Sequence, residues 1–244
     1  MDFALSEEQT LIFDMAKGFG EEHIAPHAQK WESEGTIPKD LWPQIAELGL
    51  GGIYVSEEYG GSGLSRLDAT LVFEALAMAC PSVGSFLSIH NMCGGMIDKF
   101  GSEETKQKWL PDLCSMNKVF SYCLTEPGSG SDAAALKTRA ERDNEGYVLN
   151  GTKAFISGGS YSDAYVCMVR TGEDGPKGIS TVVVEDGTDG LSFGALEKKM
   201  GWLSQPTSQN TVFSLDRFGH RLVKPFECLP TILAEFNLAL RLLF

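Results

Sequence analysis

The chain predicts an α+β fold, in which an all-helical N-terminal domain is followed by a β-rich middle domain of barrel-like or sandwich-like form. Three observations predict it. Apolar residues keep helical spacing up to about residue 117, and helix-start signals precede several of these stretches. Beyond that point short β-favouring runs alternate with turn sequences. The two patterns do not interleave, which excludes the strand–helix alternation of a doubly wound parallel sheet.

The helical elements follow in order. Ser6 and Gln9 form a capping-box pair ahead of an apolar stripe of Leu11, Ile12, Met15, Ala16 and Phe19. Pro26 should end or bend that helix. Leu41, Trp42, Ile45 and Leu48 predict a short second helix closed by Gly49. Ser65 and Asp68 repeat the capping signal before Leu67, Leu71, Ala75 and Met78, after a turn at Gly60-Gly61-Ser62-Gly63. A further helix is expected from Phe86 to Lys99. Ser102-Glu103-Glu104 opens another that stops by Pro111. Residues 1–117 are therefore the expected helical domain.

The strand signals begin with the run 119–124. Asp143-Asn144-Glu145-Gly146 and Asn150-Gly151 are spaced as hairpin turns, and residues 163–171 and 179–186 are two strands around a turn at 172–176. The expected β domain is 118–228, although the regular pattern blurs from about Thr207. Residues 229–244 form an apolar tail in which Glu235, Asn237 and Arg241 do not share a helical face. Exposed, it would be an association site.

Charge and cysteines narrow the function classes. The chain has 20 Lys and Arg against 33 Asp and Glu, a net charge of -13. That disfavours nucleic acid and anionic lipid as partners, but not a phosphorylated cofactor held by backbone N–H groups. No stretch offers the roughly 20 apolar residues of a membrane-spanning helix. Cys80, Cys93, Cys114, Cys123, Cys167 and Cys228 contain no C-x-x-C pair and read as buried reduced thiols. Met1-Asp2-Phe3-Ala4-Leu5 does not have an Arg-rich presequence, so a bacterial cytoplasm is expected, or the mitochondrial matrix in a eukaryote.

Two segments carry chemistry. Tyr122-Cys123-Leu124-Thr125-Glu126-Pro127-Gly128-Ser129-Gly130-Ser131-Asp132-Ala133 runs from an apolar strand into a Gly/Ser loop, whose backbone N–H groups can approach an anion. It is not a Walker loop, because no Gly-Lys-Ser/Thr closes it. A Rossmann fingerprint fits only loosely, without the ribose-binding acid or a βαβ unit. A plain surface turn is the competing reading. The second segment is Gly151-Thr152-Lys153-Ala154-Phe155-Ile156-Ser157-Gly158-Gly159. Its aromatic and hydroxyl could meet a planar heterocycle, or be a core Phe and a turn Ser.

In this order and spacing the two segments resemble the flavin-binding signature of acyl-CoA dehydrogenases. The resemblance runs from about Leu5 to about Thr207 and includes Gly60-Gly61-Ser62-Gly63-Leu64-Ser65, Trp109-Leu110-Pro111, Lys177-Gly178-Ile179 and Lys199-Met200-Gly201-Trp202. Ser88-Ile89-His90-Asn91-Met92-Cys93 is most similar to the isobutyryl-CoA dehydrogenase branch. It implies a helical domain, a β domain and a C-terminal helical bundle, with FAD as cofactor and a short or branched acyl-CoA as substrate. Residues 122–131 and Phe155, Ile156 and Ser157 would seat the flavin. Thr125 would bond the pyrimidine side of its ring, and Ser131 the pyrophosphate and the nearby acyl-CoA. Phe155 would pack on the ring where relatives more often have Trp, and Ser157 would bond N5 where many have Thr. Ser85 and Ile89 would line the near wall of the acyl pocket.

The resemblance also implies electron-transfer flavoprotein as electron acceptor and a homotetramer. It assigns the catalytic base to a glutamate of the C-terminal domain. Past Thr207 the family's pattern is not matched, and neither Glu227 nor Glu235 has the context of that base. The expectation is therefore a chain that stops short of its catalytic residue and is inactive alone. An acyl-CoA oxidase or nitroalkane-oxidising relative, and a non-catalytic flavin- or subunit-binding fragment, remain the alternatives. No metal site is expected: His23 and His27 are four apart, but Pro26 intervenes and no HExxH glutamate follows. His90 is expected as a satisfied interior histidine, and Glu57, Glu58, Glu103 and Glu104 as solvated first-turn acids.

Overall fold

The computed structural model describes residues 4–142 and 147–214. Helix α1 (Glu7–Phe19) starts on the capping box, with Gln9 N–H donating to Ser6 Oγ at 3.1 Å and Ser6 N–H to Gln9 Oε1 at 3.2 Å. A π turn at Gly20–Ile24 leads straight into α2 (Ala25–Glu34). Pro26 thus does not end the helical path. It forfeits one ladder bond where the π turn joins α2, and the wider π ladder makes room for its ring. Helix α3 (Leu41–Glu47) is short, and α4 (Arg66–Ala79) opens on the Ser65–Asp68 capping box. The Asp68 carboxylate also accepts from Gln9 Nε2 at 3.2 Å, tying α1 to α4.

Helix α5 (Pro81–Phe100) begins well before Phe86, because Pro81 occupies the first helical turn after a single extended residue, Cys80. Helix α6 (Glu103–Cys114) likewise continues through Pro111. The burial of Trp109, Leu110 and Leu113 holds its last turn despite the lost N–H.

The second part is a sheet of seven strands among the described residues. They are β1 (Phe120–Cys123), β2 (Arg139–Arg142), β3 (Tyr147–Ser157), β4 (Ala164–Arg170), β5 (Ile179–Glu185), β6 (Leu191–Phe193) and β7 (Thr207–Ser214). Strand β4 is its axis. Antiparallel β5 pairs along all of it, from Ala164↔Glu185 to Arg170↔Ile179. Parallel β1 pairs at Phe120↔Ala164 to Cys123↔Cys167, and β2 touches at Arg139↔Arg170. From β2 the sheet continues through β3, β7 and β6.

Every residue of β4 is buried, as expected for a strand covered on both faces. Ala164, Val166 and Met168 pack with Ile97, Leu110 and Leu113 of α5 and α6. Tyr165, Cys167 and Val169 face the other way, into a cluster to which all seven strands contribute, including Leu149, Ile156, Val182, Leu191 and Phe213. The sheet curls around a core of its own while its back rests on the helices. Cys80, Cys93, Cys114, Cys123 and Cys167 are buried free thiols, and burial pushes those of Cys93 and Cys167 well up.

Two strand expectations change. Asn150-Gly151 is no hairpin: it lies inside β3, paired with Ser214 and Phe213, and a Cβ at Gly151 would collide with Thr138. Thr207 does not begin an irregular stretch either. It opens β7, which pairs with β3 from Ser157↔Thr207 to Asn150↔Ser214. The turn at Asp143, Asn144, Glu145 and Gly146, with Glu227, Cys228, Glu235 and the 229–244 tail, lies outside the described residues.

The two parts share polar links as well as apolar area. His90 of α5 is fully buried. Its Nδ1 accepts from the Phe120 N–H at 3.0 Å, so the proton sits on Nε2, 3.0 Å from the Leu113 carbonyl. Burial holds it neutral, its pKa lowered to about 4. This is the satisfied interior histidine the sequence predicts. Tyr161, between β3 and β4, reaches into the helical core, accepting from Trp42 Nε1 at 2.6 Å and donating to the Ile37 carbonyl at 2.8 Å. His90→Leu leaves the Phe120 N–H without a partner, while the Leu113 carbonyl keeps the Met116 N–H at 2.9 Å, and should cost about 1–3 kcal/mol in urea denaturation.

Candidate functional site

Strand β1 delivers the chain into the Gly/Ser loop, which a buried ion pair shapes. Lys153, on β3, is fully buried, and its Nζ donates to Glu126 Oε1 at 2.8 Å and to the Leu124 carbonyl at 3.0 Å. The Glu126 carboxylate also accepts from the backbone N–H groups of Lys137 at 2.6 Å and Thr138 at 2.9 Å. Burial pushes this carboxyl up, but Lys153 and the N–H donors outweigh it and hold it below the ordinary range. Burial pulls the Lys153 ammonium down, and Glu126 offsets part of that. The loop turns tightly over Pro127-Gly128, with Glu126 and Ser129 exchanging backbone bonds at 2.9 and 3.1 Å.

The predicted residues of this loop therefore divide. Tyr122, Cys123 and Leu124 are buried, so they offer a ligand their backbone only. Glu126 is committed to the interior, and the Ser129 hydroxyl donates to the Asp132 carbonyl at 2.6 Å. Pro127, Gly128, Gly130 and Ser131 are exposed, and a Cβ at Gly128 or Gly130 would meet nothing within 4 Å. Thr125 is half-buried, and its carbonyl accepts from the Ala154 N–H at 2.7 Å, which sets it beside the second segment.

At that segment the β3–β7 pairing passes from Ala154↔Asn210 to Ile156↔Ser208, and Phe155 between them takes a left-handed backbone with φ 57°. Its ring is 63% exposed, whereas Ile156 points into the sheet's own core. Gly158, at φ 76°, then turns the chain so closely that a Cβ would strike the hydroxyls of Ser121 and Ser162.

A cleft of about 360 Å³ opens here, lined by Ser85, Phe155, Ser157, Glu197, Lys199, Trp202, Gln205 and Thr207. It is of the size that takes small molecules, roughly 300–1,000 Å³. Three predicted residues, Ser85, Phe155 and Ser157, come together in it. Ile89 does not line it, and packs instead against the core cluster shared by α5, α6 and β4.

The segment 197–207 is the part of the site that sequence reading missed. Trp202 repeats the behaviour of Phe155, with φ 57° and 45% exposure. Glu32 of α2 pins its neighbours. That carboxylate accepts from the Leu203 N–H at 2.7 Å, from the Ser204 N–H at 3.1 Å and from the hydroxyls of Ser204 and Ser82. Burial raises its pKa, but these bonds outweigh burial and bring it to about 2. Lys199 Nζ donates to the Gln205 carbonyl and, at 3.0 Å, to Thr207 Oγ1. The Lys199-Met200-Gly201-Trp202 motif was the available signal. Of the tempting histidines, His23 tilts against Phe19 and His27 stacks on Trp31.

An open cleft with two exposed aromatic rings thus lies where the helical part meets the curled sheet, and the Thr125 carbonyl ties the Gly/Ser loop to the strand that carries Phe155. Comparison with known proteins gives the family. The description "Acyl-CoA dehydrogenase, N-terminal domain" matches residues 6–117, and "Acyl-CoA dehydrogenase, middle domain" matches residues 121–214. The mitochondrial isobutyryl-CoA dehydrogenase of Dictyostelium discoideum is 57% identical over 204 residues, covering 83% of this chain and 49% of that protein. The butyryl-CoA dehydrogenase structure from Megasphaera elsdenii matches with a TM-score of 0.85 at 33% identity, over 95% of this chain and 62% of that one. The FAD complex of PigA matches with a TM-score of 0.88 at 29% identity, over 96% and 62%. The chain belongs to the acyl-CoA dehydrogenase family of oxidoreductases. It spans about half the length of the curated relatives it matches. The middle-domain match runs to residue 214, past Thr207, where the resemblance read from the sequence stops. No helix among the described residues is long and apolar enough to cross a membrane.

Two outcomes follow from the charges. Lys153→Met strands a buried carboxylate and should lower unfolding free energy by about 3–5 kcal/mol in denaturant titration. The folded Glu32 carboxyl titrates below its usual 4.5, at about 2, so its stabilisation is complete above pH 4.5 and is lost as pH falls toward about 2. Acid titration of Glu32→Gln, followed by circular dichroism, should show a flatter stability profile across that window.

Proposed function

We propose that the protein carries out FAD-dependent α,β-dehydrogenation of a short branched acyl-CoA of the isobutyryl-CoA kind, and that this chain supplies the flavin seat. One observation carries the flavin seat: Phe155 and Trp202 are both left-handed, both exposed, and both on the wall of one cleft. Left-handed backbone costs a non-glycine residue about 1–2 kcal/mol. Rings this exposed return little of that cost as packing. A planar heterocycle seated against them recovers that cost, as strain at binding sites commonly does.

FAD, when bound, would accept the substrate's β-hydrogen as hydride. Phe155 would pack on its ring and Ser157 would donate to a ring nitrogen. Thr125 would bond the pyrimidine side, and the exposed backbone from Gly128 to Ser131 would face the pyrophosphate. Ser85, on the opposite element of the cleft, would meet the acyl group, and Ser131 the acyl-CoA. The identity to isobutyryl-CoA dehydrogenase supports the substrate class. Residues 1–117 and 118–228 would form the helical and flavin-binding domains. The family resemblance gives α-proton removal to a glutamate of a C-terminal helical domain, and the residues of this chain are proposed to supply the flavin side of the reaction. Electron-transfer flavoprotein is the proposed electron acceptor, and a homotetramer the proposed assembly.

FAD titrated into the chain should quench flavin fluorescence saturably. Phe155→Gly should weaken FAD binding about tenfold while raising the melting temperature of the ligand-free chain. Unsaturable titration would sink the flavin reading.

A further inference from the structure

Four polar side-chain atoms, Trp109 Nε1, Thr138 Oγ1, Thr211 Oγ1 and Gln205 Nε2, are buried without a hydrogen-bond partner among the described residues. Only Gln205 also lines the cleft. It is 2% exposed. A buried amide N–H without an acceptor destabilises the free protein, and such an atom asks for an explanation.

Its neighbours, not its own side chain, hold it there. The Gln205 N–H donates to the Trp202 carbonyl at 3.3 Å, and its carbonyl accepts from Lys199 Nζ. On one side Ser204 is pinned by Glu32, and on the other the Pro206 carbonyl accepts from the Gly158 N–H at 2.6 Å. Thr207, two residues on, pairs with Ser157. The backbone therefore fixes Gln205 on the cleft wall that Ser157 shares, and leaves its side-chain N–H uncommitted.

We propose that Gln205 is a ligand-contacting residue, whose side-chain amide donates a hydrogen bond to a carbonyl oxygen or ring nitrogen of the flavin seated against Phe155. The proposal rests on the flavin reading above and adds a donor to it. The replacement Gln205→Met keeps the length of the side chain and removes the amide. Fluorescence titration with FAD should show the dissociation constant rising about tenfold. The ligand-free melting temperature should hold or rise, because an orphaned donor has gone. An unchanged dissociation constant, with the parent chain binding FAD, overturns this inference alone. A lower ligand-free melting temperature also overturns it, since the amide would then be serving the fold. Failure of the parent chain to bind FAD overturns the flavin reading, and this inference with it.

Discussion

The contact between Lys153 and Glu126 decides where the rest of the site can be. It joins the strand that carries Phe155 and Ser157 to the loop that begins at Thr125, two segments distant in sequence. With Lys153 fully buried and Glu126 nearly so, neither charge has water to fall back on. The pair holds only because the Leu124 carbonyl and the Lys137 and Thr138 N–H groups complete its hydrogen bonds. Such an arrangement tolerates one geometry. The Gly/Ser loop can be short of packing at its tip because its base is fixed this way.

The second constraint is the seam between helices and sheet. His90, Tyr161 and Glu32 each cross it with directed bonds, and Asp163 adds a fourth crossing. Its carboxylate accepts from Lys39 Nζ at 2.7 Å and from the Val119 N–H at 2.9 Å. Apolar area alone would let the two parts slide, since it carries no direction. The cleft draws its walls from both sides of the seam, Ser85 from α5, Phe155, Ser157 and Thr207 from the sheet, and the rest from the segment between β6 and β7, so its shape depends on these bonds.

Much of this was legible in the sequence. The capping boxes at Ser6 and Ser65, the change from helical to strand pattern near residue 117, and the neutral core role of His90 all follow from local chemistry. The failures have local causes too. Pro26 and Pro111 read as stops because the π turn and the buried Trp109 face that accommodate them are tertiary features. Asn150-Gly151 has the composition of a turn, yet the close approach of Thr138 explains its glycine. Lys153 and Glu32 look like ordinary surface charges in the sequence, because pattern cannot show that a charge has found a buried partner. The segment 197–207 was visible only as a family motif, since its role depends on Glu32, which is far away in the chain.

The placing of the tryptophans has an optical consequence. Trp31, Trp42 and Trp109 are sealed in the core at 6%, 0% and 3% exposure, while Trp202 stands at 45% on the cleft wall. A buried indole emits at shorter wavelength than one in contact with water, so the red edge of the protein's intrinsic emission belongs to Trp202. The molecule thus carries its own reporter, an indole whose colour and intensity register whatever comes to rest beside Phe155.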